Sequence, residues 1–176
     1  MIMRSSEAEK NAVKTVAELM VAAARTAPKA NAIDNLEIII VEGEEKARLA
    51  EEMRRIGEEQ GVDFIKRDGG NVDQSSVVVI FGTKIDPIDC PNCGFCGYEN
   101  CGENRANNGI CAFNTGDLGI AIGSAVSVAA NHRCDNRVMF SAGKAALNLR
   151  YFREDVKIAY GVPLAIAGKS PFVDRG

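Results

Sequence analysis

At 176 residues and a net charge of −3, the chain has the length of a single domain and lacks the basic excess of a nucleic-acid-binding surface. A chain this long buries roughly 70% of its unfolded surface, so its 6 cysteines are not needed as disulfide staples. Residues Met1–Glu7 carry no apolar signal core, and the longest apolar stretch, Leu118–Ala130, is too short and too rich in Gly and Ser to span a bilayer. The expectation is a cytoplasmic protein in a thiol-reducing compartment, with neither nucleic acid nor membrane as partner.

Taken in chain order, Glu7–Ala27 reads as a helix whose apolar stripe is Val13, Val16, Ala17, Met20, Val21 and Ala24, with Pro28 as its stop. Glu37–Val41 is a short β-branched strand. Glu44–Gln60 is an amphipathic helix that buries Leu49, Met53 and Ile56 and ends at Gly61. The unbroken apolar run Ser75–Phe81 predicts a strand in the middle of a sheet. From Lys84 to Gly109 no period survives, and Cys, Gly, Asn and Pro dominate; a loop this long inside a domain is usually functional. Asp117–Ala130 is apolar almost all round and predicts a buried helix, with Gly119, Gly123 and Ser127 forming a face that another backbone can approach. Arg137–Leu149 predicts a further helix, and Val156–Tyr160 and Leu164–Ala167 two short strands around Gly161 and Pro163. This order predicts a mixed α/β or α+β fold, one domain over 1–176 with residues 84–111 as an inserted Cys-rich loop.

Five cysteines fall within that loop: Cys90, Cys93, Cys96, Cys101 and Cys111. The first three are separated by two residues each, and Gly94, Gly97 and Gly102 each follow a cysteine directly. Glycine there frees the backbone to turn N–H groups toward thiolate sulfur. A 4Fe–4S cluster needs four thiolates. Two sets of four are open: Cys90, Cys93, Cys96 and Cys101, or Cys93, Cys96, Cys101 and Cys111. Zinc is the alternative metal, although a zinc ribbon separates its cysteine pairs by a longer hairpin. Asp86, Asp89, Glu99 and Glu103 surround the cysteines, with no Lys or Arg between Ile85 and Asn104, which predicts a low reduction potential. His132, the sole histidine, reads as a polar residue at a helix end, and Cys134 as a core thiol. Gly168-Lys169-Ser170 lacks the preceding glycine of a P-loop.

The segment Asn92-Cys93-Gly94-Phe95-Cys96-Gly97-Tyr98-Glu99-Asn100-Cys101 resembles a small iron–sulfur module of corrinoid proteins and electron-transport complexes. That resemblance implies Cys93, Cys96, Cys101 and Cys111 as ligands, with Cys90 a spare or exchange ligand. Ala24–Asn31 followed by Leu36–Val41 resembles the opening of the FMN-dependent nitroreductases, where a helix ends in a turn that approaches the flavin. Tyr160-Gly161-Val162-Pro163 and Gly168-Lys169-Ser170-Pro171 resemble that family's later elements, and the helix from Asp117 its long central helix, which packs across a homodimer. The resemblance implies a nitroreductase-like α+β sheet flanked by helices. It also implies FMN as a second cofactor, its phosphate met by Arg25, Lys29 and Lys169, with Arg175 the weakest of these, and its ring or ribityl chain by Asn31, near Gly161. Arg25 and Lys29 serve equally well as cations complementing a helix C-terminus. The Arg-rich N-terminal segment of nitroreductases is reduced here to Arg4-Ser5-Ser6.

The combination is similar to an uncharacterised ferredoxin-domain family of bacteria and archaea, with Asp117-Leu118-Gly119, Asp135-Asn136-Arg137 and Asp174-Arg175 as matching pieces. The function this implies is iron–sulfur redox chemistry, as a flavin-linked oxidoreductase or an electron-transfer protein. Its counterpart is a partner redox protein or a small-molecule electron acceptor. The alternative is a zinc-bound structural or interaction module without turnover.

Overall fold

Every side chain from Val77 to Phe81 is fully buried, because strand β2 (Val77–Lys84) runs through the middle of the sheet and is covered on both faces. The computed structural model describes residues 2–153 and 155–173, so Asp174 and Arg175 lie outside the described residues. β1 (Leu36–Val41) and β4 (Val156–Ala165) flank β2, and the two-residue β3 (Asp135–Asn136) borders β4. All pairings in this β1-β2-β4-β3 sheet are antiparallel.

The strand period of two sends alternate residues of β2 into two cores. Val77, Val79 and Phe81 pack with α1 (Ser5–Thr26) and α5 (Ala112–Asn131), through Val16, Met20, Leu118 and Ala125 among others. Val78 and Ile80 pack on the other face with α2 (Gly43–Gln60), α3 (Asp63–Gln74) and α6 (Phe140–Asn148), through Leu49, Met53, Val72 and Ala145. Each fully buried Leu or Phe in these layers contributes about 1.5–3 kcal/mol.

The structure departs from the expected elements at three places and adds one helix. The segment after Gly61 forms α3, which the adjacent Gly69 and Gly70 disguise in the sequence. Gly69 is there because a Cβ would lie 2.9 Å from the Ala50 carbonyl oxygen, so α3 packs tightly on α2. The two strands expected around Gly161 and Pro163 are one, β4. Gly161 exchanges backbone hydrogen bonds with Met139 at 2.8 and 2.9 Å, and Ala142 fills the space of its missing Cβ. Pro163 points its N toward the same side as Gly161, where β3 is too short to require a donor. Asp135, Asn136 and Met139 pair with β4, so the helix expected from Arg137 begins at Phe140. Finally, α5 begins at Ala112 rather than Asp117, and it is not buried all round: Gly116, Gly119, Ile120, Gly123 and Ser127 are exposed in the single chain.

Candidate metal centre

The Cys-rich loop leaves β2 at Lys84 and is pinned on three sides before its first cysteine. The Asp86 N–H donates to Asn114 Oδ1 of α5 at 2.8 Å. The Ile88 carbonyl accepts from Asn31 Nδ2 at 3.1 Å, and Ile88 itself is buried. Arg105, on the short helix α4 (Cys101–Ala106), grips both Asp89 carboxylate oxygens at 2.7 Å and the Pro87 carbonyl at 2.6 Å. This fork-on-fork pair keeps the Asp89 carboxyl below its usual range and raises the Arg105 guanidinium.

Beyond the clamp the backbone turns repeatedly through the left-handed region, at Asp89, Asn92, Gly94 and Gly97. Gly94 and Gly97, with φ of 61° and 83°, meet the expectation of unusual dihedrals after a cysteine; a Cβ at either would meet open space, so conformation alone calls for glycine. Gly102 does not: it lies in the first turn of α4. That helix is capped reciprocally, Asn100 Oδ1 accepting from the Glu103 N–H at 2.9 Å and Glu103 Oε2 from the Glu99 N–H at 2.7 Å. Cys101 is therefore the first residue of α4, and Cys111 the residue immediately before α5. The return between them is tight at Gly109, where a Cβ would lie 2.5 Å from the Tyr98 ring and 2.7 Å from Asn104 Nδ2.

All five cysteines of the loop line one cavity of about 230 Å³, together with Tyr98, Asn104 and Phe113. Liquid water takes roughly 30 Å³ per molecule, so this space suits a group of several heavy atoms rather than one ion. Zinc holds thiolates at about 2.3 Å, which requires the sulfurs nearly in contact. Among the described residues no three Cys, His, Asp or Glu side chains stand close enough to hold one ion. A cluster keeps its four thiolates farther apart, each on a different iron, and the five thiols on this one cavity supply the donors it needs. Cys90, Cys93, Cys96 and Cys101 are half-buried and Cys111 is buried. Both ligand sets left open by the spacing remain on the same cavity.

The electrostatics are less one-sided than the acidic flanks predict. Arg105 folds back across Asp89 and approaches Asp86 at 4.0 Å. Cys111 also sits at the positive end of the 20-residue α5. Asn104 is 1% exposed and its Oδ1 has no partner among the described residues. Arg105 and Asn104 were not singled out by the sequence; their signal was helical spacing from Cys101, which turns both back toward the loop.

Arg25 Nη1 donates to Asp34 Oδ2 at 2.5 Å and to the Leu36 carbonyl at 3.1 Å. Lys29 Nζ donates to the carbonyls of Arg25 and Ala27 at 2.6 and 2.9 Å, closing the end of α1. Asn31, with φ of 53°, lies in the 3-10 turn Ala30–Ala32 and reaches the cysteine loop as described. The Ala30 N–H of this turn donates to both Asp117 oxygens at 3.1 Å, tying it to α5 as well. Gly161 is inside β4, packed by α6, and Lys169 is exposed after β4. The structure thus joins Arg25, Lys29 and Asn31 at one turn, with Gly161 in the sheet interior. His132 caps the C-terminus of α5, and burial pushes the Cys134 thiol up to about 11, as befits an inert core thiol.

Residues 107–175 match the model of a family described as an uncharacterized protein containing a ferredoxin domain (DUF2148). An uncharacterized protein of Archaeoglobus fulgidus is 39% identical over 183 residues, spanning 99% of this chain and 98% of that protein. Among solved structures, the nitroreductase CinD from Lactococcus lactis in complex with chloramphenicol superposes with a TM-score of 0.60 at 16% identity, covering 92% of this chain and 84% of that one. A nitroreductase family protein from Clostridium novyi NT gives a TM-score of 0.60 at 10% identity, covering 87% and 74%. An oxidoreductase containing FMN gives 0.61 at 14%, covering 89% and 68%. At such identities the likeness is one of fold, and the fold is nitroreductase-like.

Proposed function

Because the chain belongs to the family of uncharacterised proteins containing a ferredoxin domain, we propose that it is an iron–sulfur redox protein whose 4Fe–4S cluster is held by Cys93, Cys96, Cys101 and Cys111. The observation that carries this reading is the convergence of the five clustered cysteines on one cavity too large for a single ion. When bound, a cluster supplies a one-electron donor and acceptor. The chain's own residues do the positioning. Gly94 and Gly97 let the loop curl around the cavity, and the capped start of α4 fixes Cys101. The first turn of α5 fixes Cys111, and Arg105 with Asn31 holds the irregular segment that leads into Cys90. Cys90 is the neighbouring fifth thiol.

FMN fits less well. The donors that would meet its phosphate, on Arg25 and Lys29, are engaged with Asp34 and with backbone carbonyls, and Ala142 occupies the space beside Gly161.

Single Cys→Ser variants, purified without oxygen and assayed for iron and sulfide, test the ligand set. Cys101→Ser and Cys111→Ser are expected to lose the cluster, and Cys90→Ser to keep most of it. Loss with Cys90→Ser and retention with Cys111→Ser would move the site to the other four cysteines. Stoichiometric zinc in the wild-type chain, with no iron, would refute the redox reading. Yellow colour released on denaturation would add flavin.

A further inference from the structure

Phe95, between two of the cysteines, is 76% exposed, more than the other exposed rings Phe64 and Phe140. It is not a dangling side chain. Its ring stacks on Phe113 of α5 with centroids 5.9 Å apart and planes at 26°, and Phe113 lines the cysteine cavity. An apolar knob is thus held against a ring that lines the candidate metal centre.

The charge around it is concentrated. Between Ile85 and Arg105 stand four carboxylates, Asp86, Asp89, Glu99 and Glu103, against the single cation Arg105, leaving −3. Outside this segment, 20 of the chain's 24 acidic residues face 20 of its 21 basic ones, so the whole net charge of the protein resides here. Asp89 and Glu99 line the cavity, and among the described residues no Lys or Arg does. Lys157 shares only the neighbouring cleft with Arg105. Aromatic rings flanked by an acidic segment, with Glu99 and the Arg105-held Asp89 on the cavity itself, have the anatomy of a docking surface, the charge steering the approach and the aromatic group anchoring it.

We propose that the face formed by Phe95, Phe113 and the surrounding carboxylates docks a one-electron carrier protein that presents a lysine- or arginine-rich rim around an apolar centre. This rests on the iron–sulfur reading above and specifies its partner. In the encounter the partner's oxidised centre takes up one electron and this protein is oxidised by one; no bond forms or breaks and no proton is needed.

The test uses the full chain, purified without oxygen and reduced with dithionite, mixed in stopped flow with a lysine-rich ferric c-type cytochrome. Three comparisons accompany it: the same cytochrome with its lysines acetylated, a neutral benzoquinone, and the variants Glu99→Lys and Phe95→Ala. The cytochrome rate is expected to fall about tenfold or more between about 0.01 M and 1 M salt, and acetylation to slow it at low salt. Glu99→Lys should slow it several-fold, and Phe95→Ala about tenfold, while both variants keep wild-type iron content and Phe95→Ala also keeps the wild-type quinone rate. If iron is bound and quinone is reduced, but the cytochrome rate ignores salt, acetylation and Phe95→Ala, the docking proposal fails and the iron–sulfur reading stands. Iron-free wild-type protein overturns both. A wild-type dimer that Phe95→Ala dissociates in sedimentation gives the patch to a second copy of this chain and likewise overturns the proposal.

Discussion

Arg25 shows how a single residue's partners decide between two roles. A cation at this position can meet a phosphate or can close a helix, and here its guanidinium is held by Asp34 and by the Leu36 carbonyl. Burial works to raise the Asp34 carboxyl, but the bonds from Arg25 and the Leu36 N–H, with the charges of Arg25 and Lys29, keep it below the usual 3.8. A carboxyl depressed in the folded state stabilises the fold above its unfolded value, and that gain is lost as pH falls through the lower folded value. Replacing Arg25 by Ala should therefore cost about 0.5–1 kcal/mol in urea unfolding at neutral pH, a modest figure because both partners are partly exposed. Well below pH 3.8 the difference from wild type should shrink. A pH-independent loss, or none at all, would return Arg25 to the pool of residues free to bind an anion.

At the scale of elements, the features legible in the sequence are those written in a strong period or an unbroken run. The stripe of α1, the amphipathic α2 and the continuous apolar β2 were all readable, and the last was readable as central. What stayed hidden was written in small residues whose purpose is contact. Gly69 lets α3 lie on α2, and Gly161 lets α6 lie on β4, yet both look like breaks when no partner is in view. Gly143 is the sharpest case: a Cβ there would lie 1.9 Å from the Ala159 carbonyl oxygen, which belongs to the sheet and cannot move aside. Gly143→Ala should lower stability by about 3 kcal/mol, although alanine is the better helix former. A urea midpoint equal to or above wild type would show that α6 does not press on β4 in this way.

For the molecule as a whole, the layered sheet serves to bring three distant stretches to one end. The turn after α1, the exit of β2 and the first turn of α5 are linked there by Asn31, Asp117 and Asn114. The cysteines of the centre were legible because their spacing and glycines are local. The Arg105 clamp and the Asn31 contact were not, because they join residues 16 and 57 positions apart. Phe95 carried no signal either, since only its exposure marks it. If the sulfurs of this loop surround several irons rather than one ion, X-ray absorption at the iron edge of protein purified without oxygen should show a sulfur shell accompanied by an iron–iron shell. Absorption at the zinc edge alone, with sulfur neighbours and no metal–metal shell, would refute it.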